Sequence, residues 1–330
     1  MLPDPIATYS VIIPAYNAAR TLDTCLAALA RQTVPAAAYE IIVVDDGSTD
    51  ATATVARRHG AILVSMAHTG AAAARNAGAG RARGDIVLFT DADCEPLPDW
   101  IERMVAPFAD PEVAGVKGAY LTRQSSLVAR FAQAEYEEKY RRLARQDRID
   151  FVDTYAAAYR RDLFLAHGGF DPHFVLDEDQ EFSFRLARAG HKLVFVPGAR
   201  VYHQHRRTAW GYFRRKLGIG RWKVDVHARY PARALRDSYT PWSQKLQILL
   251  VPATVAAAVA AVLGKLRWRT VAGLAALGPA SALPLAGIAR HQGWPVALAA
   301  PFLALLRAAA LALGLAWGLL AAATRRRRQP

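Results

Sequence analysis

The run Gly84–Asp93 (GDIVLFTDAD) constrains the fold more than any other stretch, because its apolar residues end abruptly in two carboxylates. A continuous apolar run of this kind is typical of a strand buried on both faces of a parallel sheet. Ligands of such sheets bind beyond the carboxyl ends of the strands, where Asp91 and Asp93 lie. If the extended path continues, both side chains project to one face and suit Mg²⁺ or Mn²⁺ with a phosphate-rich ligand. The alternative is a pair of solvated turn residues.

The segments around this run predict a parallel α/β sheet. Apolar strands alternate with segments whose apolar residues follow helical spacing, as in Asn17–Gln32. The predicted strands are Tyr9–Pro14, Glu40–Val44, Ala61–Ser65 and the run described above. An Ala-rich helix containing Arg75 and Asn76 follows the third strand. This alternation favours a parallel sheet flanked by helices.

The loop Asp45–Asp50 (DDGSTD) follows the second strand and has two open interpretations. In one, Ser48 or Asp50 caps the next helix, and Gly47 allows the sharp turn. In the other, a carboxylate at the strand end accepts hydrogen bonds from a nucleobase or a ribose. The sequence shows no dinucleotide fingerprint, since no G-x-G-x-x-G follows the first strand.

Four short motifs occur in series at the spacing of consecutive strand–helix units. They are Pro14–Asn17 (PAYN), Asp45–Asp50 (DDGSTD), Ala74–Gly78 (ARNAG) and Thr90–Asp93 (TDAD). The series resembles the family 2 glycosyltransferases of the GT-A fold, and the resemblance covers about residues 8–225. It implies an α/β fold with a mostly parallel, Rossmann-like sheet flanked by helices. It also implies a nucleotide-diphosphate-sugar donor and Mg²⁺ or Mn²⁺ as cofactor.

A second part of the resemblance lies in His167–Asp171 (HGGFD) and the acidic segment Leu176–Leu186. Family members carry Gly-Gly-Phe-Asp before a Glu-Asp pair, which implies that Glu178 and Asp179 are catalytic and that Asp179 is the general base. An inverting transfer needs such a base on the acceptor hydroxyl and a separate charge for the departing diphosphate. The alternative is a surface helix whose acidic first turn is favoured by the helix dipole.

The resemblance also implies residues for the donor and acceptor sides. The implied nucleotide-sugar-binding residues are Pro14, Tyr16, Asp46, Arg75 and Asp91, and the implied metal ligands are Asp93 and Asp91. Arg221 and Trp222 match an Arg-Trp element that lies near the acceptor and the diphosphate in processive members. The glutamine of that processive motif is missing here, which argues against polymer synthesis. A His-x-His pair, His203 and His205, could bind a metal but lacks a third ligand in the sequence.

Charge is distributed unevenly along the chain. Residues 1–199 carry 21 Lys and Arg against 26 Asp and Glu, residues 200–240 carry 11 against 2, and residues 241–330 carry 10 against none. A basic segment that follows an acidic body and adjoins apolar runs favours an anionic membrane surface over nucleic acid as partner. Cys25 and Cys94 are the only cysteines, and their positions predict no disulfide framework.

The C-terminal region contains long apolar runs. Leu246–Leu263 and Val271–Ile288 are 18-residue runs without charge, long enough to span a bilayer. Trp294–Ala323 contains Arg307 and is either a third span or a helix lying in the membrane interface. The basic residues Arg325–Arg328 predict a cytoplasmic tail.

These features predict three regions. They are a GT-A catalytic domain over residues 1–200, a basic and aromatic interface segment over 201–242, and about two or three transmembrane helices with a basic tail over 243–330. The N-terminal residues lack the apolar region of a signal peptide, so we expect the catalytic domain on the cytoplasmic side of a bacterial inner membrane.

The sequence therefore predicts a metal-dependent inverting glycosyltransferase of the cell envelope. Its acceptor is expected to be membrane-proximal or lipid-linked, and no nucleic-acid partner is expected. Two alternatives stay open at this point. One is a processive polysaccharide synthase, and the other is a membrane scaffold that binds nucleotide sugar without turnover.

Overall fold

The computed structural model describes residues 8–234 and 236–326 of the 330-residue chain. The predictions for the N-terminal residues and for Arg327 and Arg328 of the basic tail lie outside these described residues. The chain forms two compact units. Unit 1 comprises Met1–Leu121 with Leu143–Gln204, and unit 2 comprises Thr122–Arg142 with His205–Pro330.

Unit 1 contains a mixed sheet in which parallel pairing predominates. Its strands, in chain order, are β1 (Tyr9–Ala15), β2 (Tyr39–Asp45), β3 (Ile62–Ser65), β4 (Ile86–Phe89), β5 (Glu95–Pro96), β6 (Val113–Leu121), β7 (Ala157–Arg160) and β8 (Lys192–Tyr202). Within the described residues, the sheet has eight strands in the order β3-β2-β1-β4-β7-β6-β8-β5. Strands β1 to β4 pair in parallel with one another, and so do β6 and β8. Strand β7 is antiparallel to β4 and β6, and β5 is antiparallel to β8.

The helices divide between the two units. In chain order they are α1 (Ala19–Leu29), α2 (Thr52–Arg58), α3 (Ala71–Arg81), α4 (Trp100–Val105), α5 (Leu127–Leu143), α6 (Arg161–Ala166), α7 (Glu178–Arg188), α8 (Ala209–Arg229), α9 (Trp242–Val262), α10 (Trp268–Ala280), α11 (Leu283–Ala289) and α12 (Trp294–Arg326). Helix α5 and helices α8 to α12 build unit 2, and the others belong to unit 1. The parallel strands and flanking helices of unit 1 confirm the α/β architecture predicted from the sequence.

The apolar run that ends in Asp-Ala-Asp forms the centre of the sheet, as predicted. Residues Val87–Phe89 of β4 are fully buried. In β1, Ile12 is paired with Ile42 of β2 on one side and with Phe89 on the other. Helix α3 approaches β1 closely because Gly78 has no side chain, and a Cβ there would collide with Ile12. Each such buried aliphatic or aromatic side chain contributes ~1.5–3 kcal/mol to folding.

The expectation that the extended path continues through both carboxylates is wrong. Strand β4 ends at Phe89, and Ala92 and Asp93 form a turn. The N–H of Cys94 donates a hydrogen bond to the carbonyl of Asp91 at 3.0 Å, which closes this turn. The two carboxylates therefore do not occupy alternate positions of one strand, and they have different partners.

Of the two residues predicted to cap α2, Asp50 does so and Ser48 does not. The Asp50 carboxylate accepts from the N–H of Thr52, the first residue of α2, at 3.0 Å, although Ala51 directly precedes the helix. The Ser48 hydroxyl accepts instead from the N–H of Asn17 at 2.9 Å, and Asp50 accepts from the N–H of Ala19 at 3.1 Å as well as from the first N–H of α2. The loop after β2 thus satisfies backbone donors at the start of α1 and fixes two neighbouring loops at one edge of the sheet.

Unit 2 is built from helices. Among the described residues, three helical segments are long and apolar enough to cross a membrane: Trp242–Val262, Trp268–Gln292 and Trp294–Arg325. They correspond to the three predicted apolar runs. The second is interrupted by a short turn between α10 and α11. Helix α5, from a part of the sequence for which no role was predicted, packs with α11 and α12 around Phe131.

Candidate active site

Arg75 joins two carboxylates that come from different parts of unit 1. Asp91 follows β4, Glu178 is the first residue of α7, and Arg75 projects from α3. One guanidinium nitrogen of Arg75 donates to Glu178 Oε1 at 2.8 Å, and the other donates to Asp91 Oδ1 at 2.7 Å. The Arg75 side chain is 5% exposed. Burial would lower the pKa of Arg75, but the two carboxylates outweigh burial and raise it, so the guanidinium stays charged.

The start of α7 carries more acid than Arg75 neutralises. Burial and the adjacent charge of Asp179 raise the pKa of Glu178 to about 7, against the opposing effect of Arg75. The residue before the helix, Asp177, has a left-handed backbone with φ of 66°. The carbonyl of Asp179 accepts from the Ser183 hydroxyl at 2.7 Å, which fixes the first turn. The turn that holds the predicted base is therefore rigid and rich in negative charge.

The carboxylate of Asp46, just after β2, holds the loop that leads into α3. It accepts from the N–H of Thr69 at 2.8 Å and from the N–H of Gly70 at 2.9 Å. The His68 ring lies 3.0 Å from the same carboxylate and stacks on Tyr16 with ring centroids 4.1 Å apart. Tyr16 is 49% exposed, so this aromatic pair presents a surface at the carboxyl edge of the sheet. Sequence reasoning missed His68, which lies in no motif.

Asp93 lies beside a histidine from the far end of the sheet. His203 follows β8, and its Nδ1 is 3.4 Å from Asp93 Oδ1 and 3.8 Å from Cys94 Sγ. These three side chains could offer ligand atoms within 4.8 Å of one another. The His203 ring stacks on Tyr120 with centroids 4.4 Å apart, which fixes its orientation.

The His-x-His pair is not a joint metal site. The ring of His205 contacts Gln133 at 3.1 Å, and both of these residues belong to unit 2. His203 instead finds a carboxylate partner in Asp93, more than a hundred residues earlier in the chain. No local signal in the sequence links the two residues.

The donor set around Asp93 fits a divalent cation held by oxygen and nitrogen. Burial, together with Asp91 and Asp93, raises the pKa of the Cys94 thiol well above its usual value. A protonated thiol is a poor ligand, which leaves the carboxylate of Asp93 and the imidazole of His203. Mn²⁺ accepts such ligands together with phosphate oxygens, and Mg²⁺ accepts the carboxylate.

The remaining predicted residues lie in both units. Pro14 is paired with Val44 near the end of β1, at the same sheet edge as Asp46. Arg221 and Trp222 lie on α8 in unit 2, where the Arg221 guanidinium sits 4.3 Å from the centre of the Trp222 ring. The structure thus brings Arg75, Asp91 and Glu178 into direct contact and pairs Asp93 with His203.

The mixed sheet, with acidic residues after two of its parallel strands and at the start of a following helix, has the features of the GT-A fold. Residues 10–168 match the family model "Glycosyl transferase family 2". The chain therefore carries a domain of glycosyl transferase family 2, as the sequence motifs predicted.

Two similar proteins are named as glycosyltransferases. The chain is 33% identical over 197 residues to Glycosyltransferase AglE of Haloferax volcanii, which covers 57% of this chain and 64% of that protein. It is 29% identical over 232 residues to Pre-mycofactocin glycosyltransferase of Mycobacterium tuberculosis, which covers 67% of this chain and 48% of that protein. The chain thus spans less than two thirds of the length of either relative.

A solved structure resembles nearly the whole chain. Mannosyltransferase PcManGT from Pyrobaculum calidifontis, in complex with GDP-Man and Mn²⁺, has a TM-score of 0.63 and 25% sequence identity. The match covers 95% of this chain and 89% of that chain.

Proposed function

We propose that this chain is a metal-dependent inverting glycosyltransferase that transfers a sugar from a nucleotide-diphosphate sugar to a membrane-proximal or lipid-linked acceptor. The observation that carries the proposal is the acid-rich edge of the sheet. There one guanidinium, that of Arg75, serves both Asp91 and Glu178, and the Asp93 carboxylate lies 3.4 Å from Nδ1 of His203. An excess of carboxylate suits a site that receives a cation with its diphosphate.

The nucleotide end of the donor is assigned to the edge formed by β1 and β2. Tyr16 stacked on His68 offers a flat aromatic surface to a base or ribose. The carboxylate of Asp46 keeps acceptor capacity beyond its two backbone partners, since an ionised carboxylate has about four lone-pair sites. Pro14 completes this edge. The complex of PcManGT with GDP-Man supports a nucleotide sugar as the class of donor.

The cation is assigned to Asp93, with Asp91 and His203 beside it, and Mg²⁺ and Mn²⁺ are the candidates. When bound, such a cation supplies positive charge to the diphosphate as the anomeric bond breaks. The Mn²⁺ present with PcManGT supports this assignment. Arg75 is the second positive group, and its two ion pairs hold Asp91 at a fixed distance from α7.

Asp179 is assigned as the general base. In an inverting transfer, its carboxylate takes the proton of the acceptor hydroxyl as that oxygen attacks the anomeric carbon. Glu178 is not assigned as the base, since its raised pKa keeps it partly protonated near neutral pH. It instead anchors the first turn of α7 to Arg75, and so orients its neighbour Asp179.

The acceptor side is assigned to unit 2. Arg221 and Trp222 form a cation–π pair on α8, and Asp225 accepts from Arg221 at 3.0 Å. A guanidinium over an indole ring suits a phosphate or diphosphate beside an apolar chain. Together with the apolar helices, this arrangement favours a lipid-linked acceptor, with the catalytic domain on the cytoplasmic face of the inner membrane.

The test is a donor screen on the full chain in detergent with added membrane lipid. Release of UDP, GDP and dTDP from a panel of nucleotide sugars is recorded for the wild type and for Asp179→Asn. We expect release from one donor by the wild type and its loss in the variant, with nucleotide binding retained.

The matched control is Asp177→Asn, which makes the same change two residues earlier, where Asn tolerates the left-handed backbone. Wild-type transfer by Asp179→Asn would overturn the assignment of the base. Equal loss in both variants would show that the segment matters only for its structure.

A further inference from the structure

We infer that α12 does not cross the membrane, and that it lies in the plane of the membrane surface with its free apolar face against lipid. Its length and composition allow a span. Its neighbours within unit 2 argue otherwise. The partner assigned to the exposed face is the lipid bilayer itself.

The C-terminal half of α12 lies directly against α8 in a parallel register. Gly314 and Gly318 of α12 are so close to the backbone of α8 that a Cβ on Gly318 would come within 2.6 Å of the Arg221 carbonyl. From the other side, a Cβ on Gly220 would come within 2.5 Å of the Leu311 carbonyl. The two helices therefore share one direction and one depth over several turns.

Helix α8 is too polar for the hydrocarbon core. Between Ala209 and Arg229 it carries six Lys and Arg and one Asp. Each basic residue at the centre of a bilayer costs about 2.5–3.5 kcal/mol on insertion scales. Its first turn carries Trp210, 66% exposed and stacked on Phe213, in the manner of a helix seated at the interface. Because α8 stays outside the core, the part of α12 beside it stays outside too.

The N-terminal half of α12 packs on the apolar helix α11 and on α5, another charged helix. Val296, Ala300 and Ala304 share an apolar cluster with Phe131 of α5. Acidic residues of α5 bind both ends of this half of α12. Glu135 accepts from Arg307 at 2.6 Å, and Glu137 accepts from Gln292, just before the helix, at 2.6 Å.

The stretch without charge between these two anchors is short. Thirteen residues lie between Trp294 and Leu306, inclusive, which is about 20 Å of helix against the ~30 Å hydrocarbon thickness. Arg307 itself is 1% exposed and bound to Glu135 and to Gln247, so its charge is met by protein rather than by lipid.

The other face of α12 is apolar and uncovered. Its exposed residues include Leu298, Phe302, Leu313, Trp317 and Leu320. The packed face of α12 lies on the charged helices α5 and α8 and on the apolar helices α9 to α11, and its opposite face is apolar. A helix with one face on protein and one apolar face can lie in the interfacial plane. The basic residues of α8 complement anionic head groups. At its C-terminal end, Arg325 pairs with Asp225 of α8 at 2.6 Å, so the helix ends on the side of the membrane where α8 lies.

The test compares two single cysteines in the full chain, Thr324→Cys at the end of α12 and His291→Cys just before its start, both at exposed positions. A membrane-impermeant maleimide is applied to intact cells and to inverted membrane vesicles. The native cysteines are buried, and the unmodified chain provides the background.

We expect both cysteines to be labelled from the same side, whichever side that is. Labelling from opposite sides would overturn the inference, because a crossing helix places its two ends on opposite sides of the membrane. If lipid shields both thiols, alkaline phosphatase inserted after His291 in one protein and fused after Pro330 in another replaces the label. Equal activity of the two fusions supports the inference, and activity of only one of them overturns it.

Discussion

The two units each bury an arginine, and the balance of charge around the two differs. In unit 2, Arg307 donates to Glu135, which is 2% exposed and also accepts from the Tyr212 hydroxyl at 2.7 Å. Lys216 lies 3.2 Å from the same carboxylate. Burial would raise the pKa of Glu135, but Lys216 and Arg307 hold it down at about 2. Here one acid is shared between two cations and a hydroxyl.

In unit 1 the balance is reversed. Arg75 is shared between Glu178 and Asp91, whose side chain is 29% exposed. The negative charge of Asp179 also acts on Arg75 and on Glu178. The pKa of Glu178 is raised rather than lowered, because burial and the charge of Asp179 outweigh the opposing effect of Arg75. We interpret the amply paired acid of unit 2 as a link between helices. For unit 1 we propose that the acid-rich, partly open edge receives a cationic ligand.

The largest expected effect tests the structural cluster. Glu135→Gln leaves Arg307 and Lys216 without their carboxylate and should destabilise the chain by about 3–5 kcal/mol, the usual result of breaking a buried pair. The apparent thermal unfolding midpoint of the detergent-solubilised protein measures this loss. The matched control is Glu137→Gln, two residues along the same helix, which should lose no more than about 1 kcal/mol. Similar losses in the two variants would contradict the special role of Glu135.

The second effect separates catalysis from stability. Arg75→Met keeps most of the side-chain volume but releases Asp91 and Glu178 from each other. We expect kcat/KM for sugar transfer to fall by about 10²-fold, as for a displaced catalytic group. The unfolding midpoint should fall less than in Glu135→Gln, because Glu178 can take up a proton and Asp91 reaches solvent. Arg75→Lys keeps the positive charge, so its kcat/KM should lie between that of the wild type and that of Arg75→Met. A fully active Arg75→Met enzyme would show that the ion pairs do not position the site.

The smallest effect is a dependence of stability on pH. The raised pKa means that the folded chain keeps the Glu178 proton between pH 4.5 and about 7, while the unfolded chain releases it. This contribution to the free energy of unfolding is present at low pH and declines as the pH rises through that window, by on the order of 2 kcal/mol. Glu178→Gln has no such proton, so its unfolding midpoint relative to wild type should rise from pH 5 to pH 8. Parallel pH profiles for the two proteins would contradict the raised pKa.

The strands, two of the site residues and the apolar helices could be predicted from the sequence, because local patterns determine them. The runs that became β1, β2 and β4 are buried strands. Consecutive apolar side chains point to both faces of a strand, so both faces have to be covered by helices. The motifs placed Arg75 and Asp91 at one sheet edge, because the carboxyl ends of parallel strands meet there. The apolar runs likewise correspond to helices α9 to α12 of unit 2.

The parts that could not be predicted depend on partners distant in the chain. Asp93 pairs with His203, and Arg307 pairs with Glu135, 172 residues away. The sequence alone shows no partner for Arg307. Its apolar run therefore allowed two interpretations, a membrane span and a helix in the membrane interface. The turn after β4 was missed for a related reason, since the hydrogen bond from Cys94 to Asp91 cannot be seen in the pattern of apolar residues.

Nucleotide binding tests most directly whether the acid-rich sheet edge with Asp91 and Asp93 is a cation-dependent nucleotide site. Binding of UDP, GDP and dTDP to the full chain is measured by titration calorimetry with Mn²⁺, with Mg²⁺ and with EDTA. The variant Asp93→Asn is compared with Asp85→Asn, an exposed position at the other end of β4. The account predicts that one nucleotide binds only with a divalent cation, and that Asp93→Asn loses this binding while Asp85→Asn keeps it. Binding of the same affinity in EDTA, or in Asp93→Asn with Mn²⁺, would contradict it.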